Sequence, residues 1–164
     1  MTEIDQFVVV ARAFIDWAES PATTDAHAEA VAARRYVAGL ISAALALPDG
    51  TPAQEAQTIS HDQYQIIYQR FGALPFNYYS ECFNPVVVPG EEPVVADLAD
   101  DLADIWRDVK SGLLLYDSGE MESAVWHWSN DFSFHWGHHA TAALYALQSW
   151  FSLTGDDSEP ERTA

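Results

Sequence analysis

PVVADLADDLADIWRDVKSGL, residues 93–113, decides the reading of this chain. At about 100° per residue, Leu98, Leu102, Ile105, Trp106, Val109 and Leu113 share one face. Val94 and Val95 extend that face backward, and Pro93 suits a first helical turn. The pattern predicts an amphipathic helix from Pro93 to about Tyr116. Asp97, Asp101, Asp104 and Asp108 form one stripe beside the apolar face, with Asp101 nearest to it and Asp100 further round. Such a stripe has two readings. It is a solvated acidic face favoured by the helix dipole, or it is a row of oxygen ligands for a divalent cation.

C-terminal to this helix, Ser118-Gly119 makes a turn too short for anything but antiparallel neighbours. From Glu120 to about Leu153 the helical pattern returns, with Val125, Phe132, Trp136, Ala140, Ala143, Leu147 and Trp150 on one side and Gly137 as a kink or split point. This stretch holds Trp126-His127-Trp128 and His135-Trp136-Gly137-His138-His139. His135 and His139 stand one turn apart on one face, the spacing of helical metal-binding histidine pairs, and Asp131 extends the ridge by another turn. No Glu follows His135, and the Glu-x-x-His pair of helix-bundle di-metal sites is absent. Antiparallel packing places His135 and His139 opposite Asp101 and Asp104. A hydrogen-bonded structural network is the expected form of that meeting, since imidazole donating to carboxylate satisfies both groups. A divalent metal on Asp101, Asp104, His135 and His139, with Asp97 or Asp131 as further ligands, is the alternative.

N-terminal to the acidic helix, Thr2 is a candidate N-cap for Ile4, Phe7, Val8, Ala11, Phe14, Ile15 and Ala18 at helical spacing, ended by Ser20-Pro21. Thr24-Asp25 opens a second helix carrying Ala30, Val37, Ile41, Ala44 and Leu45, broken by Pro48-Asp49-Gly50. Ser60-His61-Asp62-Gln63 is a capping box before Tyr64, Ile67, Tyr68 and Phe71. Residues 73–93 read as a Pro-rich aromatic loop with one short helical turn, in which Val86-Val87-Val88 lacks a β-rich partner. Arg34 falls near the centre of the second helix's apolar face. A cation there requires a carboxylate, with Asp101 or Asp97 as the candidates, and substrate recognition is the functional alternative. The expectation is an all-α, single-domain helical bundle of about five main helices over residues 1–153, with a flexible acidic tail at 154–164.

Twenty-five Asp and Glu against seven Lys and Arg give a formal charge of −18 over 164 residues, and Lys110 is the single lysine. Nucleic acid and anionic membranes are therefore poor partners, since phosphate binding needs clustered cations and only Arg34-Arg35 are adjacent. Cys82 stands alone, which excludes an intramolecular disulfide and a Cys-based zinc site; it is expected as a small buried hydrophobe. The acidic N-terminus is unlike a secretory signal. The longest uncharged apolar run, residues 36–47, is short of the roughly 20 residues a bilayer requires. A cytoplasmic protein is expected. Neither Cys82 nor Lys110 has a neighbouring base that marks a nucleophile.

Residues 93–113, AVWHW at 124–128 and HWGHHA at 135–140 resemble an uncharacterised bacterial family catalogued as a domain of unknown function. The resemblance covers about residues 93–147 and implies an all-α cytoplasmic protein. Asp97, Asp101, Asp104, Trp126, His135, Trp136 and His139 fall on the family's pattern, which carries no established activity.

Two functions from different classes follow. The favoured one is a non-enzymatic interaction or regulatory module, offering its aromatic loop or carboxylate stripe to a protein partner or a second copy of the chain. The other is a small helical-bundle enzyme or binding protein with a metal or polar pocket between the acidic and histidine-bearing helices. That pocket draws on Arg34, Asp97, Asp101, Asp104, Asp131, Trp126 and Trp136. No cofactor is expected beyond the divalent metal of this second reading.

Overall fold

Asp97 is extended, at φ −120° and ψ 110°, and its side chain accepts the Asp100 N–H, so α4 (Leu98–Asp117) begins only at Leu98. The computed structural model describes residues 1–155. Before α4 come α1 (Glu3–Glu19), α2 (Ala26–Ala44), α3 (His61–Arg70) with a 3-10 turn (Phe71–Ala73), and the strands β1 (Tyr78–Glu81) and β2 (Val94–Asp97). After it come α5 (Met121–Phe134) and α6 (Trp136–Thr154). The chain is a mostly helical single domain. α4 packs against α1, α3, α5 and α6, while α2 closes the ring between α1 and α6. Phe7, Phe14, Val37, Leu40, Leu98, Leu102, Ile105, Trp128, Trp136 and Leu147 fill one continuous core.

The capping residues act as expected. Thr2 and Ser60 each complete a capping box, and Asp25 accepts the amides of His27 and Ala28. α2 ends at Ala44, before Pro48 is reached. Trp128 of α5 lies on Gly112 of α4 so closely that a Cβ there would stand 2.0 Å from the indole Nε1. That nitrogen donates to Val109 O, and Trp136 Nε1 donates to Trp128 O, both at 3.1 Å. Two indoles are thereby buried with their polar atoms satisfied.

The C-terminal stretch, expected as one helix kinked or split at Gly137, is split, and the break falls two residues earlier. His135, at φ −144° and ψ −87°, breaks the ladder between α5 and α6. Gly137 lets α6 start against the last turn of α5, because a Cβ there would meet Phe132 O at 2.1 Å.

The segment expected as an irregular loop is partly a sheet. β1 and β2 pair antiparallel, with Tyr78 opposite Asp97, Tyr79 opposite Ala96, Ser80 opposite Val95 and Glu81 opposite Val94. The helical turn expected there, and the helix start at Pro93, are both corrected. Val86-Val87-Val88 forms no strand, as expected; the two strands lie in the aromatic stretch and in residues assigned to the start of the helix. Val94 and Val95 are exposed and lie off the core face. Leu98 N–H donates to Asn77 O at 2.8 Å and Ala99 N–H to Asn77 Oδ1 at 2.9 Å, so the hairpin itself supplies acceptors for the first amides of α4. Cys82 is exposed, not buried, because it lies just past the last paired residue of β1. Of the expected tail, Thr154 ends α6 and Gly155 caps it; the remainder lies outside the described residues.

Among the described residues no helix is long and apolar enough to cross a membrane. A buried ion pair joins α3 to α2. Arg70 Nη1 donates to Glu29 Oε2 at 2.6 Å, with Glu29 only 2% exposed. Arg70 also donates to Trp17 O and Ser20 O, and Thr23 N–H donates to Glu29 Oε1 at 2.7 Å.

Burial opposes the charge on Glu29, but the Arg70 and Thr23 hydrogen bonds outweigh it and hold the carboxyl below its ordinary value of 4.5. Its contribution to stability is then present above 4.5 and lost as pH falls through the lower folded value. Urea unfolding should show Glu29→Ala losing about 3 kcal/mol at neutral pH, since the deletion strands a buried guanidinium. The gap between wild type and Glu29→Gln should close in acid.

Candidate metal centre

Repeat spacing of three and four residues on α4 sets Asp101, Asp104 and Asp108 in line, and packing against α6 buries them to 5%, 8% and 8% exposure. Buried carboxylates require partners. The start of α6 provides them, because the break at His135 brings its ring and that of His139, one turn on, over the acidic stripe. His135 Nδ1 donates to Asp108 Oδ2 at 2.6 Å, and His139 Nδ1 donates to Asp101 Oδ1 at 2.8 Å. The two rings meet edge to face, with centroids 4.9 Å apart.

With each Nδ1 committed to a carboxylate, the neutral ring keeps its lone pair on Nε2. His139 Nε2 stands 3.4 Å from Asp104 Oδ2. One ligand atom from each of Asp104, His135 and His139 lies within 4.8 Å of the other two. The imidazoles are partly open to solvent, His135 at 39% and His139 at 23% of the side chain. The geometry therefore combines a buried acidic floor with an accessible side.

Further groups hold the floor in place. Tyr79 of β1 donates its hydroxyl to Asp101 Oδ2 at 2.5 Å. Burial and this hydrogen bond raise the phenol far above its ordinary value, so it stays a donor. Arg107 Nη2 pairs with Asp104 Oδ1 at 2.7 Å, and the guanidinium lies over the Tyr64 ring. Burial raises the Asp104 carboxyl, against the opposing charges of Arg107, His139 and His135. Burial pushes His139 down, but its hydrogen bond to Asp101 and the charges of Asp101, Asp104 and Asp100 prevail and hold it above its ordinary value.

Asp101, Asp104, His135 and His139 thus come together across the antiparallel interface, as the sequence reading expected. The wider pocket does not assemble around them. Asp97 caps α4 and accepts from Tyr68 at 2.9 Å. Asp131 pairs with His127 Nδ1 at 3.2 Å. Trp126 lines a separate groove with Pro52, Ala56 and His127. Trp136 is fully buried in the core. Arg34 lies 3.9 Å over the Phe151 ring and donates to Gln148 Oε1 at 3.2 Å, both on α6. Its expected partners are engaged elsewhere: Asp101 with Tyr79 and His139, Asp97 with Tyr68. The buried face of α2 centres on Ala33, Val37, Leu40 and Ala44, which turns Arg34 to its edge.

Sequence reasoning left Asp108 out of the candidate site although it lies on the same stripe, and it missed Tyr79, Glu81 and His138. Asp108 was findable by spacing. Tyr79 and Glu81 reach the α4–α6 surface through the strand pairing, for which the aromatic segment carried no local signal.

A family model described as a domain of unknown function (DUF5063) matches residues 1–152. The crystal structure of protein BF1032 from Bacteroides fragilis is similar with a TM-score of 0.76 at 18% identity, over 92% of this chain and 95% of that one. At that identity the likeness shows the fold. The comparison with curated proteins finds no match.

In metal-free protein, an NMR titration should place the His139 imidazole above 6.5, its ordinary value. The stability it contributes is full below 6.5 and lost as pH rises through the folded value. Asp101→Asn should lower that titration by removing the charge and leaving only a neutral, weaker acceptor.

Proposed function

The chain belongs to the DUF5063 family, a domain of unknown function, and neither the family nor the structural relative assigns an activity; from the site itself we propose that the protein binds a divalent transition metal at Asp104, His135 and His139. The observation that carries this reading is the pair of carboxylates behind the histidines. Asp108 and Asp101 each take the Nδ1–H of one ring, the outer-shell arrangement that orients a metal-ligating histidine and directs Nε2 to the ion. For His139, Nε2 faces a carboxylate oxygen at 3.4 Å, long for a hydrogen bond. Two lone-pair atoms held face to face call for a cation between or beside them, either a proton or a metal.

Two imidazoles and one carboxylate suit zinc, iron(II) or manganese(II), and three protein ligands leave coordination positions for water or a small ligand. The exposed side of His135 gives access to them. Three aspartates against one arginine leave the pocket negative, which favours a dication. Bound there, the metal would supply Lewis acidity or an activated water; Asp101, Asp108 and Tyr79 would hold the ligands, and Arg107 would orient Asp104. The cytoplasmic setting is part of the same proposal, since a lone exposed thiol at Cys82 suits a reducing compartment.

The interaction-module reading is favoured by a different observation. Phe83, Val86, Val88 and Val95 are exposed on the β1–β2 hairpin and its connection, an apolar surface of the kind that docks a protein partner or a second copy.

Metal analysis separates the two. Untagged protein, stripped with chelator and loaded with Zn²⁺, Mn²⁺ or anaerobic Fe²⁺, should retain one equivalent through gel filtration. The double variant His135→Ala, His139→Ala should retain none, and Asp101→Asn or Asp108→Asn should bind about 10–100-fold more weakly. Failure of all three metals to bind wild type would overturn the proposal and leave the imidazole–carboxylate network structural.

A further inference from the structure

A second constellation lies on the outer side of α6, in a cavity of about 380 Å³ between that helix, β1 and the segment that follows β1. Tyr79, Phe83, Pro85 and Tyr145 form much of its wall, and none of its lining residues is a lysine or arginine. Its size is that of a small-molecule site, and its walls are mainly apolar and aromatic, as such sites are.

Glu81 is set into this lining. Its side chain is only 10% exposed, yet Oε1 is sealed from solvent and takes part in no hydrogen bond. Nε2 of His138 approaches that oxygen to 2.6 Å without hydrogen-bond alignment. The His138 ring stacks on Phe83, with centroids 5.3 Å apart and planes 10° apart, and remains 44% exposed. A buried carboxylate whose near cation is a poorly aligned, half-exposed imidazole is under-satisfied, and here it sits among aromatic rings whose faces attract cations.

We propose that this cleft binds an organic ammonium, a primary amine carried on an apolar or aromatic body. The ammonium takes the place beside Glu81 that His138 Nε2 now occupies, and the His138 ring swings outward into solvent. The apolar body lies against Phe83 and Tyr145. The charge of the ligand meets Glu81, and its N–H groups supply aligned donors to Oε1 in place of the misaligned imidazole. The site shares no residue with the metal triad and stands without the metal reading.

2-Phenylethylamine is the probe, with 2-phenylethanol and 3-phenylpropionate as its neutral and anionic counterparts. Titration followed by amide NMR should show saturable shifts at Glu81, Phe83 and Tyr145 for the amine. The alcohol should bind about tenfold more weakly or worse, the loss of one charge-assisted hydrogen bond, and the carboxylate should not bind. Glu81→Gln should lose the amine preference. His138→Ala should keep it or strengthen binding, because the internal competitor is gone. The His135→Ala, His139→Ala variant should bind the amine as wild type does, whatever its metal content. Equal binding of amine and alcohol, an unchanged preference in folded Glu81→Gln, or no saturable shift with millimolar amine would each overturn the proposal.

Discussion

Three carboxylates buried on one helix set the terms for the rest of this structure. Asp101, Asp104 and Asp108 belong to the face by which α4 enters the core, and an uncompensated buried carboxylate costs more than a marginally stable domain tolerates. Each must be met by a donor or cation, from a neighbouring element or from the next turn of α4 itself. His139 and Tyr79 meet Asp101, Arg107 meets Asp104, and His135 meets Asp108. The α5–α6 break and the placement of β1 both serve this requirement. A continuous helix through His135 would give its ring a different direction from the one that reaches Asp108.

Close approach is the second element of the design. Gly112 admits the Trp128 indole, and Gly137 admits the last turn of α5. The packing brings α5 and α6 near enough to α4 for short imidazole and carboxylate side chains to touch across it. Elsewhere, Arg70 and Glu29 fasten α3 to α2 and the end of α1 through a fully satisfied ion pair. The two charged networks are unlike. The Arg70–Glu29 network is closed, with its groups occupied. The α4–α6 network is open to solvent on its imidazole side and keeps acceptor nitrogens uncommitted, and that difference separates a structural ion pair from a candidate ligand set.

The hairpin connects the two functional readings. Tyr79 points its hydroxyl to Asp101 behind the histidines, while its neighbour two residues on, Glu81, faces the outer cleft beside His138. Alternate residues of a strand usually share a face, and these two lie along the same side of α6 one step apart. One strand therefore braces the acidic floor and carries the carboxylate of the adjacent cavity.

Helix positions, their caps and the acidic stripe were legible from the sequence alone, because helical periodicity and N-capping are local. Thr2, Asp25 and Ser60 need only the backbone amides a few residues away. The short turn after α4 made an antiparallel neighbour legible as well, but His135 and His139 lie at and beyond the α5–α6 break, so it is the start of α6 that carries them to the acidic stripe. What tertiary structure decided is everything that depends on pairing between distant residues. Val94 and Val95 suit the first turn of a helix or the end of a strand equally well, and only Tyr78–Glu81, some sixteen residues upstream, resolves the choice. The same holds for the cation pairs. Arg34 and Arg70 each lie near apolar residues in sequence, but Glu29 is the carboxylate that reaches the interior beside Arg70, while α2 turns Arg34 toward Phe151 and Gln148. Period and capping are written in neighbouring residues; the partner of a buried charge is chosen by which side chains the packed helices bring within a few ångströms of it.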